Sequence, residues 1–398
     1  MSSRTARSVI TSRIFLGGSI VVMVAILAFL AVIFVRIERP PVELRPDPGG
    51  MRWIRSLHGS GPAPTQQLNR PYSVAIGNDG RIYTAEPAGG RVLVFSPNGL
   101  FERQMYTGGQ SAGPGTFAQP ESIDVNAAGD LFIADSEGRK IVVFDSDGRF
   151  LREWSVQYKP RGIALSAGNV FVLGEGTVNT YTETGAKLGQ FGTRGPAPGQ
   201  IDAYIGIEVD RDTIFIADAF NSRIQAFDRD GTLLWARPEI AAPRSMPQTP
   251  TDEPVPFAWD LPQDLTLDGA GRLVVVDAFR FQLVILDPDT GQVVSTHGDF
   301  GTTEGTFLHP TSVDYDPHRD WFAVADTDNN RVQIVRLPGS GDTAASGVRR
   351  IADSTARWVL PTMVLLVAVF LISIIQWVLL ARSRRRMDPW SEPAITDE

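Results

Sequence analysis

No cysteine occurs among the 398 residues, which removes disulfide frameworks, thiolate metal sites and cysteine nucleophiles together. Histidine is almost as scarce: His58, His297, His309 and His318 are the only four. Basic residues are sparse through the middle of the chain. Between Met51 and Leu337, 24 Lys and Arg stand against 36 Asp and Glu, a net of −12 against −8 for the whole chain. Such a segment repels nucleic acid and anionic lipid headgroups. No phosphate-binding glycine loop, kinase signature or Ser-His-Asp arrangement can be named. Glycine (38) and proline (28) are plentiful, which suits many short strands joined by turns better than long helices.

Two uncharged apolar runs set an expected topology. Residues 14–35 (IFLGGSIVVMVAILAFLAVIFV) are long enough to cross a bilayer as a helix, and no small-x-small cleavage site follows them. Residues 358–380 (WVLPTMVLLVAVFLISIIQWVLL) have Trp358 and Trp377 near their ends, where an interfacial belt places aromatics. Arg4, Arg7 and Arg13 precede the first run, and Arg382, Arg384, Arg385 and Arg386 follow the second. The positive-inside rule then holds both termini in the cytoplasm. The expected layout is a cytoplasmic N-terminus (1–13), a transmembrane helix (14–35), a Pro-rich linker (36–50), an extracytoplasmic domain (51–337), a second linker (338–357), a second transmembrane helix (358–380) and a cytoplasmic tail (381–398). The predicted location is a cytoplasmic membrane, crossed twice.

The domain between the runs is built from a repeat. Pro71-Tyr-Ser-Val-Ala-Ile-Gly-Asn-Asp-Gly-Arg-Ile-Tyr-Thr-Ala-Glu86 returns as Pro120-Glu-Ser-Ile-Asp-Val-Asn-Ala-Ala-Gly-Asp-Leu-Phe-Ile-Ala-Asp135, and again at 160–174, 204–218, 262–277 and 310–326. Six copies at such a period signal a repeat architecture. Each copy continues through a second pair of alternating apolar runs, as in Asn221-Ser-Arg-Ile-Gln-Ala-Phe-Asp-Arg-Asp-Gly-Thr-Leu-Leu-Trp235. Gly-containing turns separate the runs, which reads as four antiparallel strands per repeat. Four-stranded sheets repeated radially make a propeller. The predicted fold is all-β, a six-bladed β-propeller flanked by two transmembrane α-helices.

Pro before the first strand, Ala-Asp ending the second and Asn-x-Arg opening the third resemble the NHL-repeat family. Asp218-Ala-Phe-Asn-Ser-Arg223 and Asp326-Thr-Asp-Asn-Asn-Arg331 match best, and the likeness covers about residues 51–337. The third copy departs, with Leu173-Gly174 for Ala-Asp, and the first carries Glu86 for Asp. The resemblance implies that Asp218 with Arg223, and Asp326 with Arg331, are structural ion pairs that pin each loop. The sixth copy stops at about Leu337, one strand short. Met51-Arg-Trp-Ile-Arg-Ser-Leu-His-Gly59 resembles the tail of a repeat and is expected to complete that blade, leaving no open edge.

If the innermost strand runs from top to bottom, both linkers leave from the bottom. The connections 107–119, 192–203, 238–257 and 297–309 then crowd the top, where rigid scaffolds usually carry binding. The residues after each repeat Pro, Tyr72, Glu121, Arg161, Ile205, Gln263 and Thr311, are expected to ring the mouth of the central channel. Phe220 and Phe279, at matching places in blades four and five, and Trp259, after a Pro-rich insertion, form a candidate protein-docking patch. Two classes of function follow. One is a binding or scaffolding module for an extracytoplasmic or membrane protein, with a small ligand at the mouth as a variant. It needs no cofactor and no catalytic residue, and it is similar to the sensor propellers of some bacterial receptor kinases. The other is a metal-dependent hydrolase or lyase, gluconolactonase-like or amidating-lyase-like. Only Glu121 and Gln263 stand where such relatives bind a central metal.

Overall fold

The computed structural model describes residues 50–61, 66–106, 113–202, 206–210, 212–238 and 258–341. Within them six antiparallel four-stranded sheets form a propeller. Blade 1 holds β2 (Ser73–Ile76), β3 (Ile82–Glu86), β4 (Arg91–Phe95) and β5 (Phe101–Tyr106). Blade 2 holds β6 (Pro120–Val125), β7 (Leu131–Asp135), β8 (Lys140–Phe144) and β9 (Phe150–Ser155). Blade 3 holds β10 (Gly162–Ser166), β11 (Asn169–Gly174), β12 (Thr177–Thr182) and β13 (Lys187–Phe191). Blade 4 holds β14 (Ile207–Asp210), β15 (Thr213–Asp218), β16 (Arg223–Asp228) and β17 (Leu233–Arg237). Blade 5 holds β18 (Pro262–Leu267), β19 (Leu273–Asp277), β20 (Gln282–Leu286) and β21 (Val293–His297). Blade 6 holds β22 (Pro310–Asp316), β23 (Trp321–Asp326) and β24 (Arg331–Arg336), and its outer strand is β1 (Arg52–Leu57) from the other end of the domain.

That closure is held by register and packing. Arg52 pairs with Arg336 and Leu57 with Val332, so β1 begins beside the end of β24. Ile54 and Leu57 face the seam with blade 1, whereas Met51 packs toward blade 5. The chain stays packed beyond β24: the Ser340 hydroxyl donates to Asp320 Oδ1 at 2.6 Å, and the Tyr315 hydroxyl donates to Ser340 O.

Among the described residues one apolar cluster fills each of the six seams between blades. Second strands show how: in β15, Ile214 and Ile216 face blade 3 while Phe215 and Ala217 face blade 5. Both faces of each sheet are covered, which is why these strands read as unbroken apolar runs rather than alternating ones. Fully burying such a side chain contributes about 1.5–3 kcal/mol.

Among the described residues no helix is long and apolar enough to cross a membrane. The two apolar runs predicted to do so, 14–35 and 358–380, lie outside the described residues, as do most of both linkers.

Candidate functional site

The repeat's charged signature lies at the top of the blades, where each second strand turns into the third. Asp218 ends β15, a one-turn 3-10 helix spans Ala219–Asn221, and Arg223 opens β16. Ser222 takes the left-handed conformation at φ 51° that this tight turn needs. The Arg223 guanidinium donates to Asp218 Oδ2 at 2.7 Å, and both side chains are fully enclosed. Its remaining N–H groups donate to the carbonyls of Pro196, Ala197 and Gln200, in the connection from blade 3. Asp218 in turn accepts from Asp202 N, Asn221 Nδ2 and Gln225 Nε2. Burial raises the Asp218 carboxyl above its ordinary range, opposed by these bonds and by Arg223.

Blade 6 repeats the network: Arg331 binds Asp326 at 2.8 Å and the carbonyls of Thr302, Thr303 and Thr306, with Asn329 and Gln333 in attendance. A buried pair with so many satisfied partners fixes a loop rather than supplying free charge. Glu86 fills the role in blade 1 with Arg91 at 2.5 Å. In blade 3 the place is taken by an aromatic plug. A Cβ on Gly174 would lie 2.5 Å from Tyr158 Cδ2 and 2.6 Å from Lys159 O. Tyr158 fills that space and meets the Tyr181 hydroxyl at 3.1 Å.

The channel mouth mixes exposed and enclosed groups. Arg161 donates to both oxygens of Glu121, at 3.1 and 3.0 Å, bridging blades 2 and 3. Thr311 is buried, and its hydroxyl bonds Tyr72 O and Thr327 Oγ1, bridging blades 6 and 1. Gln263 is only 3% exposed, and its Oε1 finds no donor among the described residues. Tyr72 is half-buried. Ile205 lies outside the described residues.

Deeper in the channel lies an arrangement that the sequence reading did not single out. Innermost strands present an unpaired edge to the axis, and their N–H groups need acceptors. Side chains two and four places after the repeat Pro supply them to the next blade. Ser312 Oγ accepts Val74 N and Asp314 Oδ2 accepts Ile76 N, joining blades 6 and 1. Ser73 accepts Ile123 N, joining blades 1 and 2. Ser122 accepts Ile163 N and Asp124 accepts Leu165 N at 2.7 Å, joining blades 2 and 3. Asp264 accepts Val313 N, joining blades 5 and 6. Blades 3 and 4 offer Gly162, Ala164 and Gly206 at these places, with no side-chain oxygen, and Glu208. Gly206 is required by close approach: a Cβ there would meet Ala217 Cβ at 2.5 Å and Gln263 O at 2.6 Å.

Four carboxyls, each half-buried, therefore line the central channel. Burial pushes Asp124 up to about 8, helped by Asp314. Glu208 rises to about 8 through burial and then Asp124, Asp314 and Asp264. Burial lifts Asp264 to about 7, against hydrogen bonds from Ser312, Leu265 and Val313. It lifts Asp314 to about 6, against bonds from Ile76, Tyr315 and Thr266. The signal was present in the sequence: a charged residue mid-strand where blades 1 and 3 carry Ala75 and Ala164. Among the described residues no three His, Cys, Asp or Glu converge as metal ligands.

The aromatic patch divides. Phe220 and Phe279 are 41% and 49% exposed on the top turns of blades 4 and 5. Phe279 stacks on His309, with ring centroids 5.2 Å apart and planes 24° apart. Burial lowers the His309 pKa, opposed by Asp328 and reinforced by Arg70, so the ring is neutral near pH 7. Trp259 corrects the expectation placed on it: it is 6% exposed and belongs to the apolar cluster between blades 4 and 5. Its indole packs with Phe215 and Leu265, because the chain entering β18 must cover that seam.

With this geometry in view, the likeness to known proteins is consistent. A family model described as a 6-bladed beta-propeller matches residues 66–171. NHL repeat-containing protein 3 from Homo sapiens is 29% identical over 182 residues, covering 43% of this chain and 48% of that protein. The Mus musculus protein of the same name is 27% identical over 190 residues, covering 44% and 50%. The chain thus spans about half the length of the curated relatives it matches. A solved protein of unknown function from Bacteroides thetaiotaomicron superposes with a TM-score of 0.53 at 14% identity, over 73% of this chain and 72% of that one. An auxiliary nutrient binding protein from Bacteroides ovatus gives 0.50 at 15% identity, over 71% and 75%. Such low identities speak for fold alone. Fold and repeat together define the class: the chain carries a six-bladed β-propeller whose repeats are similar to those of NHL repeat-containing proteins.

Proposed function

We propose that this NHL-repeat propeller is displayed outside a cytoplasmic membrane on two transmembrane helices and binds a protein partner with its loop-bearing top face. The observation that carries the reading is the pairing of Arg52 with Arg336. Because β1 begins where β24 ends, the chain enters and leaves the ring at the bottom of blade 6, away from the connections between blades. The apolar runs 14–35 and 358–380, with arginines on their outer flanks, then supply the membrane anchor.

Support for a protein partner comes from Phe220 and Phe279, large apolar side chains left exposed on the top turns of neighbouring blades, the first on a turn pinned by the buried Asp218–Arg223 pair. Rigid aromatic anchors dominate interface energetics and lose little entropy on binding. The net acidity of the domain favours a basic partner surface and disfavours nucleic acid.

The test uses the full-length chain in membranes. Protease added from the outer side is expected to reach the propeller while the C-terminal tail stays protected. Cross-linking with mass spectrometry is expected to capture one protein through the top face, and the Phe220→Ala, Phe279→Ala double variant is expected to lose it while still folding. Undiminished capture by that variant overturns the docking surface, and propeller cleavage only from the cytoplasmic side overturns the topology.

A further inference from the structure

We propose that His309 is a proton-operated latch on Phe279: its neutral imidazole keeps that ring stacked at the top face, and protonation releases it. The consequence for a partner, docking at neutral pH and release on acidification, rests on Phe279 acting as a docking anchor. Three blades fix the placement. His309 closes the connection into β22 in a left-handed conformation at φ 55°, directly before Pro310. One face of its ring lies against Phe279, on the turn after β19, with centroids 5.2 Å apart and planes 24° apart. Its Nδ1 faces Asp328 Oδ2, on the turn after β23, at 3.6 Å. Asp328 Oδ1 is taken at 2.9 Å by Arg70, which precedes β2 of blade 1.

The other edge of the ring makes the arrangement sensitive to a proton. Nε2 is enclosed, and no hydrogen-bond partner meets it among the described residues. A neutral imidazole tolerates this, with its N–H on Nδ1 toward Asp328 and Nε2 as the bare acceptor nitrogen. Protonation puts a hydrogen on Nε2 as well. A charged N–H enclosed without an acceptor loses its hydration and gains nothing in exchange, which destabilises it more than a neutral unmet donor. The face of Phe279 attracts a cation, but it lies against the face of the imidazole and offers no acceptor at the ring edge. The imidazolium therefore turns out to water, and Phe279 loses the surface on which it rests.

The surrounding charges set the pH at which this happens. Burial opposes the imidazolium most, Asp328 favours it, and Arg70 opposes it from across the same carboxylate. The other charged groups on the elements packed here are engaged elsewhere. Asp326 accepts Leu308 N and pairs with Arg331, and Arg280 donates to the Ala258 carbonyl. Asp299 and Glu304, in the same connection as His309, are exposed to solvent. The ring is thus neutral at pH 7 and takes its proton below the ordinary histidine range.

Blade 4 supplies an internal comparison. Phe220 matches Phe279 on its own turn, but the residue before the next repeat Pro is Leu261, where blade 5 is followed by His309. The latch therefore belongs to one of the two exposed rings.

The experiment follows the full-length chain in detergent by NMR between pH 5 and pH 8. A 4-fluorophenylalanine label at Phe279 reports that ring, and the Cε1–H signals of the four histidines report protonation, with His309 assigned by its loss in His309→Gln. The Phe279 and His309 signals are expected to move together, with one midpoint below about 6.5. Arg70→Gln should raise that midpoint and Asp328→Asn should lower it. In His309→Gln the Phe279 signal should hold still, as should a label at Phe220 in the parent. A Phe279 signal that ignores the titration of His309, one that still titrates in His309→Gln, or a His309 that stays neutral down to pH 5 would each overturn the latch. Cross-linking in membranes at pH 7.5 and pH 5.5 separates the latch from the docking reading. Capture that falls at least threefold at the lower pH in the parent, but not in His309→Gln, supports both. A latch that titrates while capture stays constant upholds the latch and overturns Phe279 as the anchor.

Discussion

Asp124 of blade 2 accepts the Leu165 amide of blade 3 at 2.7 Å, so a carboxyl raised to about 8 is part of the joint between two blades. Asp314 relates to Ile76 in the same way at 2.6 Å, joining blades 6 and 1. These joints make the closure of the ring sensitive to protons.

The sign follows from linkage. The unfolded carboxyls titrate near about 4, whereas Asp124, Glu208, Asp264 and Asp314 are raised in the folded ring to about 8, 8, 7 and 6. Between those limits the folded state binds more protons, so this contribution is fully present below about pH 4 and is lost as the pH rises through 6 to 8. Thermal unfolding from pH 5 to pH 9 should show a falling melting temperature. Asp124→Asn should flatten the slope, and a slope unchanged in that variant would exclude Asp124 as a source.

Arg223 presents a different electrostatic case. Replacing it with Met leaves Asp218 enclosed beside a loop that has lost three carbonyl partners. Breaking a buried pair from one side costs about 3–5 kcal/mol. Denaturant titration is expected to show that loss for Arg223→Met, and a smaller one for Arg91→Met, whose side chain is 11% exposed.

Restoring the repeat's acid in blade 3 should harm the protein. Gly174→Asp introduces a Cβ into Tyr158 and the Lys159 carbonyl. Overpacking of this kind costs about 1–3 kcal/mol. Equilibrium unfolding should place the variant below the parent, and a stabilised variant would mean that Tyr158 is not a required plug.

The two exposed phenylalanines and the nearby tryptophan should separate cleanly. Phe279→Ala removes a half-exposed ring and should change stability by about 1 kcal/mol or less. Trp259→Ala empties part of the seam between blades 4 and 5 and should cost about 3–5 kcal/mol. Circular dichroism melts of both variants make the comparison.

Loss of the closing strand should affect the whole ring. A chain beginning at residue 58 lacks β1, which leaves the β24 edge unpaired and uncovers the seam that Ile54 and Leu57 fill. Light scattering on warming is expected to show aggregation at a lower temperature than for the parent.

Much of this molecule is written along the chain. The six copies of the repeat segment fix the number of blades, because each carries one sheet's worth of strands. The missing fourth strand of the sixth copy, matched by Met51–Gly59, fixes how the ring closes. Asp218 with Arg223 is legible for the same reason: its partners lie five residues apart and meet across one tight turn. Trp259 was misread because a single tryptophan after an insertion has no periodicity to show which way it points, and its burial depends on Phe215 and Leu265 from two different blades.

The channel required the tertiary structure. Asp124, Glu208, Asp264 and Asp314 are spread over 190 residues of sequence, and each looks like an isolated polar residue in an innermost strand. Local sequence determines that such a strand will have an unpaired edge whose amides need acceptors. Only closure of the ring brings those edges onto one axis, where the acceptors of one blade meet the donors of the next and four half-buried carboxyls come to line the same channel.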